Sequence, residues 1–147
     1  MPTPSPKSII ITGGASGIGL ALTRHFAAQG HRVVILDLNS AAGEGAAASV
    51  TAEFPQSAVS FHQCNVASWD EQAVAFGKAF HALGGRLDVV VANAGVSEQG
   101  TTTLVRLDEE TTPVRPGVAT VEVNLLGTVY CECLPKSGAG FGLVLEC

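Results

Sequence analysis

The 147-residue sequence predicts an α/β fold, a doubly wound parallel sheet, on three observations. Short apolar runs alternate with stretches of helical periodicity from one end of the chain to the other. Val33 to Leu36 is continuously apolar, and Leu87 to Ala92 nearly so, as expected of strands covered on both faces. Hydrophobic residues make up 46% of the chain and charged residues only 14%, against about a quarter charged in ordinary soluble domains. The core is therefore expected to be large relative to the surface.

Each element has its own signal. Lys7 to Thr12 reads as a first strand, followed by a helix over Gly17 to Gln29 whose inner face carries Ile18, Ala21, Leu22 and Phe26, with Gly30 placed to end it. His31 to Asp37 is the clearest strand. Asn39 to Phe54 is rich in alanine but broken by Gly43 and Gly45, so its helix is expected to begin raggedly and firm up after Gly45, ending before Pro55. Ala58 to Cys64 is a third strand. Ser68 with Glu71 forms a capping box, and Val74, Phe80 and Leu83 give the buried stripe of a helix stopped by Gly84 and Gly85. Leu87 to Ala92 is the fourth strand. Pro116 suits the first turn of a further helix in which Val118, Val121, Leu125 and Val129 recur at helical spacing until Pro135. Gly138, Gly140 and Gly142 make a flexible connection to a fifth strand, Leu143 to Leu145.

Several classes of function are disfavoured. A net charge of -5 and the lack of a Lys/Arg cluster give no electrostatic footprint for nucleic acid. The start, Met1 to Ser8, is polar, and the apolar run after it is too short for a signal segment or a membrane span, so the cytoplasm is the default location. Cys64, Cys131, Cys133 and Cys147 have no framework spacing, and Cys131-Glu132-Cys133 is too tight for half a zinc site. Reduced thiols and no metal are expected.

The informative segment joins the first strand to the first helix. A phosphate approaching backbone N–H groups at a helix N-terminus needs room that a Cβ would fill. Gly13 can make the tight turn, Gly17 can admit a diphosphate, and Gly19 can let the helix sit against the sheet, with Ser16 and Ile18 between them. The spacing Gly-x-x-x-Gly-x-Gly differs from the usual Gly-x-Gly-x-x-Gly, and an ordinary glycine-rich loop is the plainer alternative. Asp37 strengthens the dinucleotide reading. It ends the second strand, where a carboxylate can accept hydrogen bonds from both adenosine ribose hydroxyls. A 2′-phosphate would meet like charge there, and Leu38 offers no compensating base, so NAD is favoured over NADP; the alternative is a polar residue that merely leaves a strand.

At this point the sequence resembles the N-terminal portion of the short-chain dehydrogenase/reductase family. Thr12 to Gly19 is similar to the family's TGxxxGIG turn, Asn93-Ala94-Gly95 to the end of its NNAG motif with Ala92 replacing the first Asn, and Asp37 to its NAD-selecting acid. Val123-Asn124-Leu125 followed by Gly127 resembles the segment carrying a catalytic asparagine. The form of Pro116 to Tyr130 looks most like fungal members related to 15-hydroxyprostaglandin dehydrogenase. The resemblance implies a Rossmann fold truncated after about five strands, with residues 1–147 forming one C-terminally incomplete NAD(P)-binding domain. It implies that Asn65 and Val66 line the adenine pocket, Asn65 standing where the family usually has Asp. Asn65 organising its own turn is the alternative. It implies also that Asn93, Ala94 and Gly95 wall the ribose and nicotinamide.

For catalysis the resemblance implies an NAD-dependent oxidoreductase that, in complete form, interconverts a small-molecule alcohol and ketone and could assemble as a homo-oligomer. The family's Ser and Tyr-x-x-x-Lys are not found. Tyr130 is the only tyrosine and is followed four residues on by Leu134, so a structural role is expected for it; Ser137 reads as a loop residue. Asn124 is retained from the catalytic set, either as a bend or as a buried polar residue satisfied within its helix. The chain alone is therefore expected to be inactive. A nonenzymatic NAD-binding or regulatory protein is the competing reading.

Overall fold

The computed structural model describes residues 5–97, 117–134 and 143–146. The order is β1 (Ser8–Thr12), α1 (Gly17–Ala28), β2 (Arg32–Asp37), α2 (Ser40–Glu53), β3 (Ala58–Gln63), α3 (Trp69–Ala82), β4 (Val89–Ala92), α4 (Ala119–Val121), a π-helical turn (Glu122–Leu126), α5 (Gly127–Cys133) and β5 (Leu143–Glu146). The strands form one parallel sheet in the order β3-β2-β1-β4-β5. The chain steps outward from β1 through β2 to β3, then returns to β1's other side with β4. Loops at the carboxyl ends of β1 and β4 consequently diverge and leave a crevice between them.

Burial explains the layers. Ile10, Val34, Leu36, Cys64, Val90 and Ala92 face Ala75, Phe76, Ala79 and Leu83 of the α3 region, with Cys131 and Leu134. On the other face Ile9, Ile11, Val33, Val89 and Val91 meet Leu22 and Phe26 of α1, while Ile35 packs on Ala46 of α2. Each fully buried Ile or Leu contributes about 1.5–3 kcal/mol relative to exposure, and this requires both helical layers. Asp88 locks the start of the β1–β4 pair. Its carboxylate accepts from the Ser8 N–H (2.8 Å) and from Arg86 Nε (2.8 Å), and its own N–H donates to the Ser8 carbonyl (2.8 Å).

Four sequence expectations change. The helix α2 is not ragged: it runs unbroken from Ser40, because Asn39 Oδ1 accepts from the Ala42 N–H (3.0 Å) and Gly43 lies under the Phe61 ring, where a Cβ would collide. On α1, Ile18 and Ala21 face outward; Gly19, Thr23 and Ala27 form the buried side, with Leu22 and Phe26 partly buried. On α3, Val74 is 57% exposed and the buried face is Gln72, Ala75, Phe76 and Ala79. The capping box is half made. Ser68 Oγ accepts from the Glu71 N–H (3.3 Å), but the Ser68 N–H is taken by the Asn65 carbonyl (3.0 Å), so Glu71 turns instead to the Asn65 N–H (3.1 Å).

The helix expected after Pro116 is divided by its π-turn, and Val118, Val121, Leu125 and Val129 are 41–57% exposed. Pro116, Pro135, Ser137, Gly138, Gly140, Gly142 and Cys147 lie outside the described residues. Tyr130 stacks edge-on against Trp69 (centroids 5.6 Å apart), consistent with a structural role. Among the described residues no helix is long and apolar enough to cross a membrane.

Candidate functional site

The crevice at the carboxyl ends of the strands holds a cavity of about 360 Å³. Ten of the predicted residues line it: Gly13, Ser16, Gly17, Ile18, Asp37, Asn65, Val66, Asn93, Ala94 and Gly95. Gly19 does not reach it. That glycine is buried beneath the turn, where a Cβ would collide with the Gly13 carbonyl and come within 2.6 Å of Asn93 Nδ2.

The turn between β1 and α1 is held from three sides. Thr12 Oγ1 accepts from the N–H groups of Asn93 and Ala94 (3.1 Å each) and donates to the Val91 carbonyl (3.4 Å). Asn93 Nδ2 returns the connection, donating to the carbonyls of Thr12 (3.0 Å) and Gly13 (3.2 Å). Asn93 is thus a latch on the glycine turn, and its backbone contributes the wall. Gly13, at φ +65, presses against Ala94, whose Cα would lie 2.8 Å from an added Cβ. Gly17 differs: at φ +49 it has nothing within 4 Å of a Cβ position, so its surface is open to the cavity.

The helix α1 begins at this opening without a side-chain cap on Ser16. In contrast, Asn39 and Ser68 cap α2 and α3. The first-turn N–H groups of α1 therefore lack the side-chain oxygen that such positions ordinarily recruit. Beside them stands Asp37, its Oδ2 accepting from the Ala15 N–H (3.1 Å) and its Oδ1 from the Asn39 N–H (3.1 Å). Two carboxylate oxygens offer about four acceptor sites, so these bonds orient Asp37 and leave capacity for a ligand. Arg32 sits at the far end of β2, with Nη2 on the Ala82 carbonyl (3.1 Å), away from the site.

The outer wall follows β3. Asn65 Oδ1 accepts from the Ala67 N–H (3.0 Å), so Asn65 organises its own turn while also lining the cavity. Neighbouring Cys64 is a buried thiol whose pKa burial, aided by Glu71, pushes up to about 12; it packs as an apolar group. Asn124 lies on the opposite side, in the π-turn. Its Oδ1 accepts from the Val96 N–H (2.9 Å) and its Nδ2 donates to the Val96 carbonyl (3.0 Å). Asn124 is exposed and bonded across 28 residues, so it is not a buried group satisfied within its helix.

Leu36, Leu38, Cys64, Val96 and Val123 also line the cavity. Leu38 adjoins Asp37 and Val123 adjoins Asn124 in its motif, while Leu36, Cys64 and Val96 carry no site signal in the sequence. Gln72 carries no motif either: fully buried, it donates through Nε2 to the carbonyls of Val66 (2.7 Å) and Gly127 (2.9 Å) and accepts from Cys131 Sγ (3.4 Å). Its helical spacing to Ala75, Phe76 and Ala79 is the signal that could have exposed it.

A glycine turn at an uncapped helix start, an acid at the end of the next strand and an asparagine latch from β4 occupy one crevice. The sequence profile described as short chain dehydrogenase matches residues 7–135. The chain belongs to this family. Across 133 residues it is 38% identical to the NADP-dependent dehydrogenase clz5 of Cochliobolus lunatus, covering 88% of this chain and 45% of that protein. Its fold superposes on an alcohol dehydrogenase of the archaeon Thermococcus sibiricus complexed with 5-hydroxy-NADP, with a TM-score of 0.72, 29% identity and coverage of 86% of this chain and 50% of the other. For the 3-ketoacyl-(acyl-carrier-protein) reductase of Brucella melitensis complexed with NADH the values are 0.70, 25%, 84% and 46%. The chain spans less than half the length of the curated relatives it matches. As a short-chain dehydrogenase relative it carries the oxidoreductase family's nicotinamide-dinucleotide fold.

Proposed function

We propose that the crevice binds NAD in preference to NADP and that, in its complete form, the protein interconverts an alcohol and a ketone. The carrying observation is the pairing of an uncapped, sterically open helix start at Ser16 and Gly17 with the Asp37 carboxylate in the same cavity. Gly13, Ser16, Gly17 and Ile18 would hold the diphosphate over a turn that Gly19 keeps close to the sheet. Asp37 would take the adenosine ribose hydroxyls, Asn65 and Val66 the base, and Asn93, Ala94 and Gly95 the nicotinamide ribose. The nicotinamide supplies the hydride; the protein supplies orientation and a proton path. Asn124, fixed against Val96, is the residue retained for that path in a complete form.

NAD is the choice that Asp37 supports, although the fungal relative is named NADP-dependent. A 2′-phosphate would bring like charge to a carboxylate already ordered by the Ala15 and Asn39 amides, with Leu38 exposed beside it. A fluorescence titration should find NADH tighter than NADPH by about tenfold or more, equivalent to about 1.4 kcal/mol. Tighter NADPH would overturn the preference, and no binding of either would overturn the site.

A second reading, a nonenzymatic NAD-binding or regulatory protein, is favoured by Tyr130. The sole tyrosine is engaged edge-on with Trp69 and lies in α5, before β5, rather than after that strand where the family carries its acid/base tyrosine. The 147 residues alone should bind the dinucleotide without alcohol-dependent NADH formation; sustained turnover would reject this.

A further inference from the structure

Gln72 joins the cavity to the segment that carries Asn124. Val66 and Val123 both line the cavity, the first following β3 and the second in the π-turn. Gly127, which opens α5 directly after that turn, lies against Val66, where an added Cβ would stand 3.1 Å from Val66 Cγ2 and 3.3 Å from its carbonyl oxygen. The peptide unit between Val66 and Ala67 is held at both ends. Its N–H donates to Asn65 Oδ1 (3.0 Å) on the cavity wall, and its carbonyl accepts from Gln72 Nε2 (2.7 Å), which donates also to the Gly127 carbonyl (2.9 Å). Two carbonyls can be met only by the N–H₂ end of an amide, so the orientation of Gln72 is fixed, with Oε1 turned to Cys131 Sγ (3.4 Å).

Gln72 is fully buried in α3 and does not itself line the cavity. A ligand against Asn65 and Val66 thus rests on a wall whose far side is bonded to α5. If 117–134 moves away, the Gly127 carbonyl loses its donor, and the Val66 peptide loses the packing and the anchored amide that keep it in place. Resting on the dinucleotide reading above, we infer that Gln72 is a positioning residue: by clamping the Val66 and Gly127 carbonyls together, it makes occupation of the Asn65–Val66 end of the cavity stabilise the segment 117–134, and with it the placement of Asn124. Such coupling is reciprocal. The segment in place holds the wall in the shape that the ligand takes.

The test is amide hydrogen exchange on the 147-residue chain, free and saturated with ADP. This probe fills the diphosphate turn and the Asn65–Val66 end but carries neither the second ribose nor the nicotinamide, so it leaves the path through Val96 and Asn124 unengaged. In wild type, ADP should slow exchange at 13–20 and also, by about tenfold, at 119–133. In Gln72→Leu the slowing at 13–20 should persist while that at 119–133 falls to about twofold or less. The readout is the change that the ligand induces within each chain, which a purely structural role for Gln72 would not move. Equal slowing of 119–133 in both chains would mean that contact through Val123 suffices, and overturns the inference; so does the lack of any slowing there in wild type. A Gln72→Leu chain that no longer binds ADP, or that exchanges β1 and β2 as fast as α5, overturns it as well, since Gln72 would then hold the whole wall or the whole sheet. Protection of 13–20 by NADH and not by ADP leaves the site intact and overturns the inference. If neither ligand protects 13–20 in wild type, the site and the inference fall together.

Discussion

In residues 5–92, β1, β2 and β4 are buried along their interiors, and α2 and α3 each start on a side-chain cap. The segment 117–134 has no side-chain cap on α4, the π-turn or α5, and Val118, Val121, Leu125 and Val129 are 41–57% exposed. It is joined to the sheet by a few specific groups: Gln72 on Gly127, Asn124 on Val96, Tyr130 on Trp69, and buried Cys131 and Leu134. The first region derives its shape from strands covered on two faces and, in α2 and α3, from helix starts satisfied locally. The second takes its position from residues far away in sequence. Single substitutions should therefore damage the two regions differently.

The largest effect is expected where the first region admits no relaxation. Gly19→Ala drives a Cβ against the Gly13 carbonyl, which is backbone, and against the Asn93 amide that latches β4 to the turn. Overpacking of this kind costs about 3 kcal/mol. It should lower the urea midpoint of the whole chain and weaken NADH binding by at least about tenfold. A Gly19→Ala chain with wild-type stability and affinity would mean that the turn yields, and the proposed rigidity of the first region would be lost.

Gln72→Leu should separate the regions. The side chain is fully buried, and leucine keeps the site filled with one heavy atom fewer, but the change strands the carbonyls of Val66 and Gly127. A buried group left unpaired costs about 2 kcal/mol. Amide hydrogen exchange should quicken in α5 and around Val66 while β1 and β2 keep their protection. Uniform acceleration across the sheet would show that 117–134 and the strands unfold as one unit, contrary to the contrast drawn above.

The same contrast governs what could be read from the sequence. Ile9 to Ile11, Val33 to Leu36 and Val89 to Ala92 announced their strands because burial on both faces demands unbroken apolar residues. Gly13, Gly17, Gly19 and Asp37 announced the crevice because their roles are set within one strand–turn–helix–strand unit. Gly43 misled because its tolerance depends on Phe61, on another strand. Helical spacing assigns Val74 to the core and passes over Gln72 because the position facing Val66 and Gly127 wants two donors, a requirement created by residues up to 55 apart in sequence. The π-turn and the Asn124–Val96 pairing were illegible for the same reason. Helical spacing at Val118, Val121, Leu125 and Val129 records a helix but does not say which side is covered.

The smallest expected effect concerns acid and the first region's edges. Burial, reinforced by Lys7, lowers the pKa of His31; burial, reinforced by Lys78, lowers that of His62, whose Nε2 is buried without a hydrogen-bond partner. The unfolded chain then takes up protons first as pH falls below about 6.5, so stability should decline from that point and level off below the folded pKa values. Asp88 behaves as a carboxylate held low. Burial opposes its ionisation, but the Ser8 N–H and Arg86 together outweigh it. Its contribution is complete above the unfolded value of about 3.9 and is lost as pH falls through the folded pKa. Asp88→Asn should cost about 1 kcal/mol at neutral pH through its weakened bonds to Ser8 and Arg86, and should flatten the lower step while deepening the upper one slightly, because the Asp88 charge raises the His31 pKa. His62→Leu should shrink the upper step alone. Urea midpoints at pH 7.5, 5 and 3 for the three chains would check this, and a wild-type midpoint unchanged between pH 7.5 and 5 would remove the histidines from the account.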